Sequence, residues 1–94
     1  MIRFEWDENK AAANQRKHGI TFEDATLVFF DPYRIEEQDR IVNGEERWQT
    51  IGIIKGFTAL LVAHTVCENG IDTIRIISAR HAKPAERRRY YGNR

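Results

Sequence analysis

Ninety-four residues allow one domain with one hydrophobic core and leave no room for a second. Hydrophobic residues at 41% and charged residues at 31% exclude a disordered or fibrous chain, and a net charge of +1 leaves bulk charge silent about partners. Its distribution is more informative: residues 75–94 hold seven basic groups against one acid (net +6), and residues 1–74 hold eight against thirteen (net −5).

In chain order, Ile2, Phe4 and Trp6 alternate with Arg3 and Glu5, the period of a short strand. Asp7 then reads as a helix cap, and a helix is expected over about residues 8–18, acids first and bases last, ended by Gly19. Thr21 and Asp24 precede Phe22, Ala25, Thr26 and Phe29 at helical spacing, which predicts a second short helix stopped at Asp31-Pro32. Tyr33, Ile35 and Glu36–Asp39 read as an exposed edge strand entering a loop with Asn43-Gly44. Arg47–Ile54, Phe57–Glu68 and Ile71–Arg80 are rich in Ile, Val, Thr and Leu. Lys55-Gly56 and Asn69-Gly70 separate them as two-residue hairpin signals. Lys83–Tyr91, with Pro84 in its first turn and Gly92 beyond, closes the chain as a helix. The expected class is α+β, an antiparallel sheet covered by two amino-terminal helices and one carboxy-terminal helix.

Two-residue turns would pair positions summing to 111 across the first hairpin and 139 across the second. Arg47, His64 and Arg75 would then form one row on one face. Two arginines flanking an imidazole need an anion or acid partners. One reading is a phosphate held by Arg47 and Arg75 with His64 placed for proton transfer. The other is pairing of the arginines with Glu45, Glu46 or Asp72, leaving His64 an ordinary half-buried sheet histidine. Beyond the row, Arg80, His81 and Lys83 lie where the last strand meets the last helix. Lys83, Arg87 and Tyr91 share one flank of that helix, a stripe suited to phosphates with tyrosine stacking on an unpaired base. A solvated helix face is the alternative.

The three histidines and Cys67 show no metal-ligand spacing, Ser78 lacks a nucleophile-elbow context, and no glycine loop cradles phosphate. No metal or other cofactor is implied. One cysteine cannot form an internal disulfide, no apolar run approaches the length of a membrane span, and no export leader is evident, so a cytoplasmic location away from membranes is expected.

Phe4-Glu5-Trp6-Asp7, Lys17-His18-Gly19, Asp31-Pro32, Gly44-Glu45-Glu46-Arg47, His64-Thr65 and above all Ile74-Arg75-Ile76-Ile77-Ser78-Ala79-Arg80 with Glu86-Arg87 and Tyr90 resemble the BrnT family of bacterial toxins, essentially end to end. The resemblance implies a RelE-like fold and the toxin role in a type II toxin-antitoxin system. It also implies ribonuclease activity that halts translation, neutralisation by a BrnA-type antitoxin, and contact with operator DNA only through that antitoxin. On this reading the RNA substrate meets a catalytic set of His64, Arg75, Arg47 and Arg80, His64 serving as base or acid. His81, Lys83, Arg87, Tyr90 and Tyr91 would bind the RNA. Cys67 and His81 depart from the family, standing where basic residues are expected. The alternative is a catalytically weak binding module acting as co-repressor inside the antitoxin complex.

Overall fold

A computed structural model describes residues 2–68 and 72–92. Strand β1 (Arg3–Glu5) leads into α1 (Glu8–His18), α2 (Phe22–Ala25) and a 3₁₀ turn over Thr26–Phe30. Then come β2 (Ile35–Val42), β3 (Glu45–Ile54), β4 (Thr58–Glu68), β5 (Asp72–His81) and α3 (Pro84–Gly92). The strands form one sheet in the order β1-β5-β4-β3-β2. The expected α+β class holds, with one correction: β1 pairs parallel with β5, so the sheet is mixed. A parallel pair needs a crossover between its strands. Here that crossover carries the chain through the helices on one face and then through β2, β3 and β4.

Local signals act where they occur. Asp7 accepts hydrogen bonds from the amides of Asn9 (2.7 Å) and Lys10 (3.2 Å), and Gly19 ends α1 in the left-handed conformation at φ 72°. Thr21 caps α2 through the Asp24 amide, but the expected single helix tightens to 3₁₀ from Thr26 onward. Gly52 explains the close seating of that turn: a Cβ there would lie 3.0 Å from Val28 Cβ and 3.1 Å from its carbonyl oxygen.

The hairpins correct the expected register. Ile54 pairs with Thr58, so Phe57 joins Lys55 and Gly56 in the loop and β3–β4 partners sum to 112. Phe57 itself is 82% exposed. Across β4–β5 the partners sum to 140 from Glu68↔Asp72 to His64↔Ile76, and to 141 from Ala63↔Ser78 to Leu60↔His81, because a bulge inserts Ile77. The Asn69-Gly70 turn and the expected strand start at Ile71 lie outside the described residues.

Both faces of the sheet bury apolar side chains. On one, Ile54, Leu60, Val62, Ile74, Ile76 and Ala79 pack under Phe22, Ala25, Val28 and Phe29, with Trp6 edge-on to Phe22 at 5.9 Å. On the other, Ile51, Ala59 and Leu61 pack under Ala82 and Tyr90 of the α3 region, covering only one end of that face. Among the described residues no helix is long and apolar enough to cross a membrane.

Helix α1 brings almost no apolar stripe to this arrangement, and its one buried residue is Asn14. Strand β1 pairs with β5 only as far as Arg75. Beyond that point the Asn14 amide acts as a substitute strand: Oδ1 accepts from the Ala79 amide (3.1 Å), and Nδ2 donates to the carbonyls of Ala79 (2.9 Å) and Ile20 (3.1 Å). Asn14→Ala would leave these backbone groups buried without partners, a cost of about 2–4 kcal/mol. Asn14→Asp, which sets a carboxylate oxygen against two carbonyls, should cost more. Urea unfolding is expected to show both as lower midpoints at unchanged slope, and a wild-type midpoint for either would contradict the role assigned to Asn14.

Candidate functional site

The corrected register reassigns the expected row. Thr65 pairs with Arg75, and one step beyond the Trp48↔His64 pair places Arg47 on the other side of Thr65. The two arginines therefore do share a face and a row, as expected, but Thr65 stands between them in place of His64. His64 projects to the opposite face with Trp48 and Ile76. There it is 2% exposed, edge-on to Phe29 at 4.8 Å, with Nε2 and the Thr50 hydroxyl 2.7 Å apart. Burial pushes its pKa below the ordinary 6.5, against smaller opposing effects of the Thr65 backbone and Glu36. The expected neighbourhood of His64 with Arg47 and Arg75 is thus overturned by a one-residue shift.

The face that carries the arginines is a polar shelf at the end α3 leaves open. Its rows, by strand pairing, are Arg47, Thr65 and Arg75, then Gln49, Ala63 and Ser78, and then Ile51, Leu61 and Arg80 at the edge of α3. Arg75 and Arg80 are five residues apart and would face opposite ways in a regular strand; the Ile77 bulge brings both onto the shelf. Glu45, the first residue of β3, reaches the arginines by the i, i+2 spacing that puts it on the same face as Arg47. Its Oε1 lies 2.5 Å from Arg75 Nη2 and 3.6 Å from Arg47 Nη2. The Nε of Arg47 and the hydroxyl of Thr65 are buried without hydrogen-bond partners among the described residues. The acid pairing set out above as the alternative for these arginines is realised through Glu45.

Arg80 is engaged differently. Its guanidinium forms a fork with Glu86, Nη1 to Oε1 at 2.8 Å and Nη2 to Oε2 at 2.9 Å, and Glu86 Oε1 also accepts the Lys83 amide at 2.7 Å. These contacts tie the end of β5 to the first turn of α3 in the manner of half a capping box. The Arg80 hydrogen bonds hold the Glu86 carboxyl down at about 2. Arg80 accordingly anchors the helix through Glu86.

Among the residues expected to bind RNA, Lys83, Arg87 and Tyr91 are exposed on α3 and its approach. His81 is exposed but pairs with Leu60, on the face away from Arg80. Tyr90 is 2% exposed, and its hydroxyl donates to Asp31 Oδ2, which also accepts the Ile53 amide at 2.8 Å. It fastens α3 to β3 and cannot stack on a base, which corrects that expectation. Arg89 pairs with Glu37 of β2 along the shelf's other border. Gln49 lies on the face of Arg47 as its spacing predicts, whereas sequence reasoning did not anticipate Thr65 or the Glu37–Arg89 pair on this shelf; the Glu45-x-Arg47 spacing was the available signal for Glu45.

A cleft of about 450 Å³ lies elsewhere, between Phe30, Tyr33, Ile53, Lys55 and Tyr91. Among the described residues no three His, Cys, Asp or Glu side chains are grouped to hold a metal ion.

Two titrations follow from this geometry. A folded-state pKa below 6.5 for His64 means its contribution is full above pH 6.5 and is lost as pH falls beneath that value, since the unfolded chain then binds the proton more readily. Glu86, lowered from 4.5 to about 2, contributes above pH 4.5 and loses that contribution as pH falls toward 2. Urea midpoints measured across pH should decline in both windows, with His64→Gln flattening the first and Glu86→Gln the second. A wild-type midpoint that stays level from pH 7 to 5 would contradict a buried neutral imidazole.

The chain's relatives agree with the resemblance noted in its motifs. A family model described as the ribonuclease toxin BrnT of type II toxin-antitoxin systems matches residues 6–86. The 1.1 Å crystal structure of the Brucella abortus ribonuclease toxin BrnT is similar at a TM-score of 0.64 and 25% identity, over 88% of this chain and 99% of that one. No curated protein matches the chain significantly. With its mixed five-stranded sheet, its three helices and a family match over most of its length, the chain belongs to the BrnT ribonuclease toxins of type II toxin-antitoxin systems.

Proposed function

We propose that this chain is a RelE-like endoribonuclease of the cytoplasm, cleaving RNA by attack of the substrate's own 2′-hydroxyl without a metal ion and thereby halting translation. The observation that carries this reading is the convergence of Arg47 and Arg75, from different strands, on one carboxylate oxygen at the open end of the sheet. Paired guanidiniums that converge on a carboxylate oxygen can hold a phosphate, and they stabilise the extra negative charge that develops on it in the transition state. Arg47 and Arg75 would seat the scissile phosphate. Lys83, Arg87 and Tyr91 would guide the strand beyond the shelf through phosphate contacts and base stacking. His64 takes no part, being buried on the other face.

The partner in this proposal is a BrnA-type antitoxin, with operator DNA contacted only through it. An acidic antitoxin segment laid across Arg47, Arg75, Lys83 and Arg87 would mask the shelf by charge complementarity, and its grip would weaken as salt is raised.

The test is cleavage of a defined single-stranded RNA by the antitoxin-free chain in EDTA. Arg47→Ala and Arg75→Ala should each lower the rate about 10²–10³-fold, the usual cost of a lost transition-state donor. His64→Gln should stay within a few fold of wild type at neutral pH. Full activity in both arginine variants, or collapse in the histidine variant alone, would overturn this site.

A further inference from the structure

Attack by a 2′-hydroxyl requires a group to take its proton, and the corrected register removes His64 from the shelf. Of the carboxylates bordering the shelf, Glu5 lies beside Arg75 alone by its strand pairing, Glu37 is paired with Arg89 along the β2 border, and Glu86 is tied by Arg80 into the first turn of α3. Glu45 is the carboxylate in contact with both arginines assigned to the phosphate. It is partly exposed at the start of β3, directly after the tight Asn43-Gly44 turn. We infer that Glu45 is the general base of the reaction, accepting the 2′-hydroxyl proton beside the phosphate held by Arg47 and Arg75; this rests on the ribonuclease reading above.

Charge arithmetic favours the arrangement. Two guanidiniums facing one carboxylate leave one positive charge uncompensated, and a bound phosphodiester supplies the missing negative charge. The carboxylate and the phosphate can therefore sit beside each other between the two guanidiniums. Because Oε1 already lies at the guanidinium of Arg75, a phosphate sharing that guanidinium comes within reach of the carboxylate with little rearrangement of the strand. In the step itself, the 2′-hydroxyl proton passes to Glu45 as the O2′–P bond forms and the P–O5′ bond breaks. The products are a 2′,3′-cyclic phosphate and a 5′-oxygen that takes a proton from water. The resulting hydroxide removes the proton from Glu45, so the enzyme is restored and no net water is consumed.

The alternative role for the same contact is a plug, in which Glu45 merely occupies the phosphate seat and must be displaced. The two roles predict opposite changes in rate. Glu45→Gln preserves shape and removes the basic oxygen. As general base, its loss should lower single-turnover cleavage about 10²–10⁴-fold, while the Kd for an RNA blocked by a 2′-deoxy nucleotide at the scissile position stays equal or tightens. Glu45→Asp should recover part of the rate. Glu46→Gln, whose side chain belongs to the opposite face by its pairing with Ile41, should cleave as wild type.

Cleavage by Glu45→Gln at or above the wild-type rate would overturn the assignment and identify a plug. If that result came with strong losses in Arg47→Ala and Arg75→Ala, the phosphate site would stand without this base. Absence of cleavage by the wild-type chain would overturn the underlying ribonuclease reading.

Discussion

The side-chain amide of Asn14 holds the strand from which the site is built. Strand β1 is three residues long and ends opposite Arg75, so the outward backbone groups of β5 beyond that point have no neighbouring strand. Asn14 meets the amide and the carbonyl of Ala79 together, as a paired strand residue would, and its buried position makes those bonds costly to lose. Ala79 lies two residues beyond the inserted Ile77. The clamp therefore fixes the strand just after the bulge that turns Arg75 and Arg80 to the same face. Helix α1, which has scarcely any apolar surface of its own, is secured to the sheet by the same contact.

The two faces of the sheet have divided the chemistry between them. The face under α1 and α2 carries the larger apolar core, and burial there pushes the His64 pKa below its ordinary value. The opposite face is covered by α3 at one end only, where Tyr90 reaches Asp31 and Arg80 grips Glu86. Those anchors leave a shelf of Arg47, Arg75, Gln49 and Ser78 open to a large ligand. A single-stranded RNA is an extended anion, and such a shelf suits it better than an enclosed pocket, since phosphates can be held along a surface while one of them is gripped from two sides.

Much of this was legible in the residues. Asp7, Gly19 and Thr21 announced the helix ends through hydrogen bonds that act within a turn, and the Ile- and Val-rich stretches announced the meander. The parallel pairing of β1 was not legible, because three residues carry too little pattern to choose a neighbour. Register was harder still. A turn written as Lys55-Gly56 closes with Phe57 inside it, and the Ile77 bulge leaves no local mark in a run of β-branched residues. Because side chains alternate, each one-residue slip exchanges the faces. The Ile77 bulge acts only beyond His64; the one-residue offsets of the two hairpins, 112 for 111 and 140 for 139, cancelled for Arg47 and Arg75, which meet as expected, and were fully felt by His64, which traded places with Thr65. Tyr90 resembled a stacking platform in sequence because nothing local reveals that Asp31, 59 residues earlier, receives its hydroxyl.

The account stands on the claim that the scissile phosphate sits between Arg47 and Arg75 on the open sheet face. The most direct measurement is a crystal structure of the antitoxin-free chain bound to a short single-stranded RNA with a 2′-deoxy nucleotide at the cleavage position. The predicted result is a phosphate bridging the two guanidiniums, the 2′ position of the preceding sugar turned toward Glu45, and His64 still packed on Phe29. A phosphate seated against the His64 face, or RNA lying on α3 alone with Glu45 still between the arginines, would contradict it.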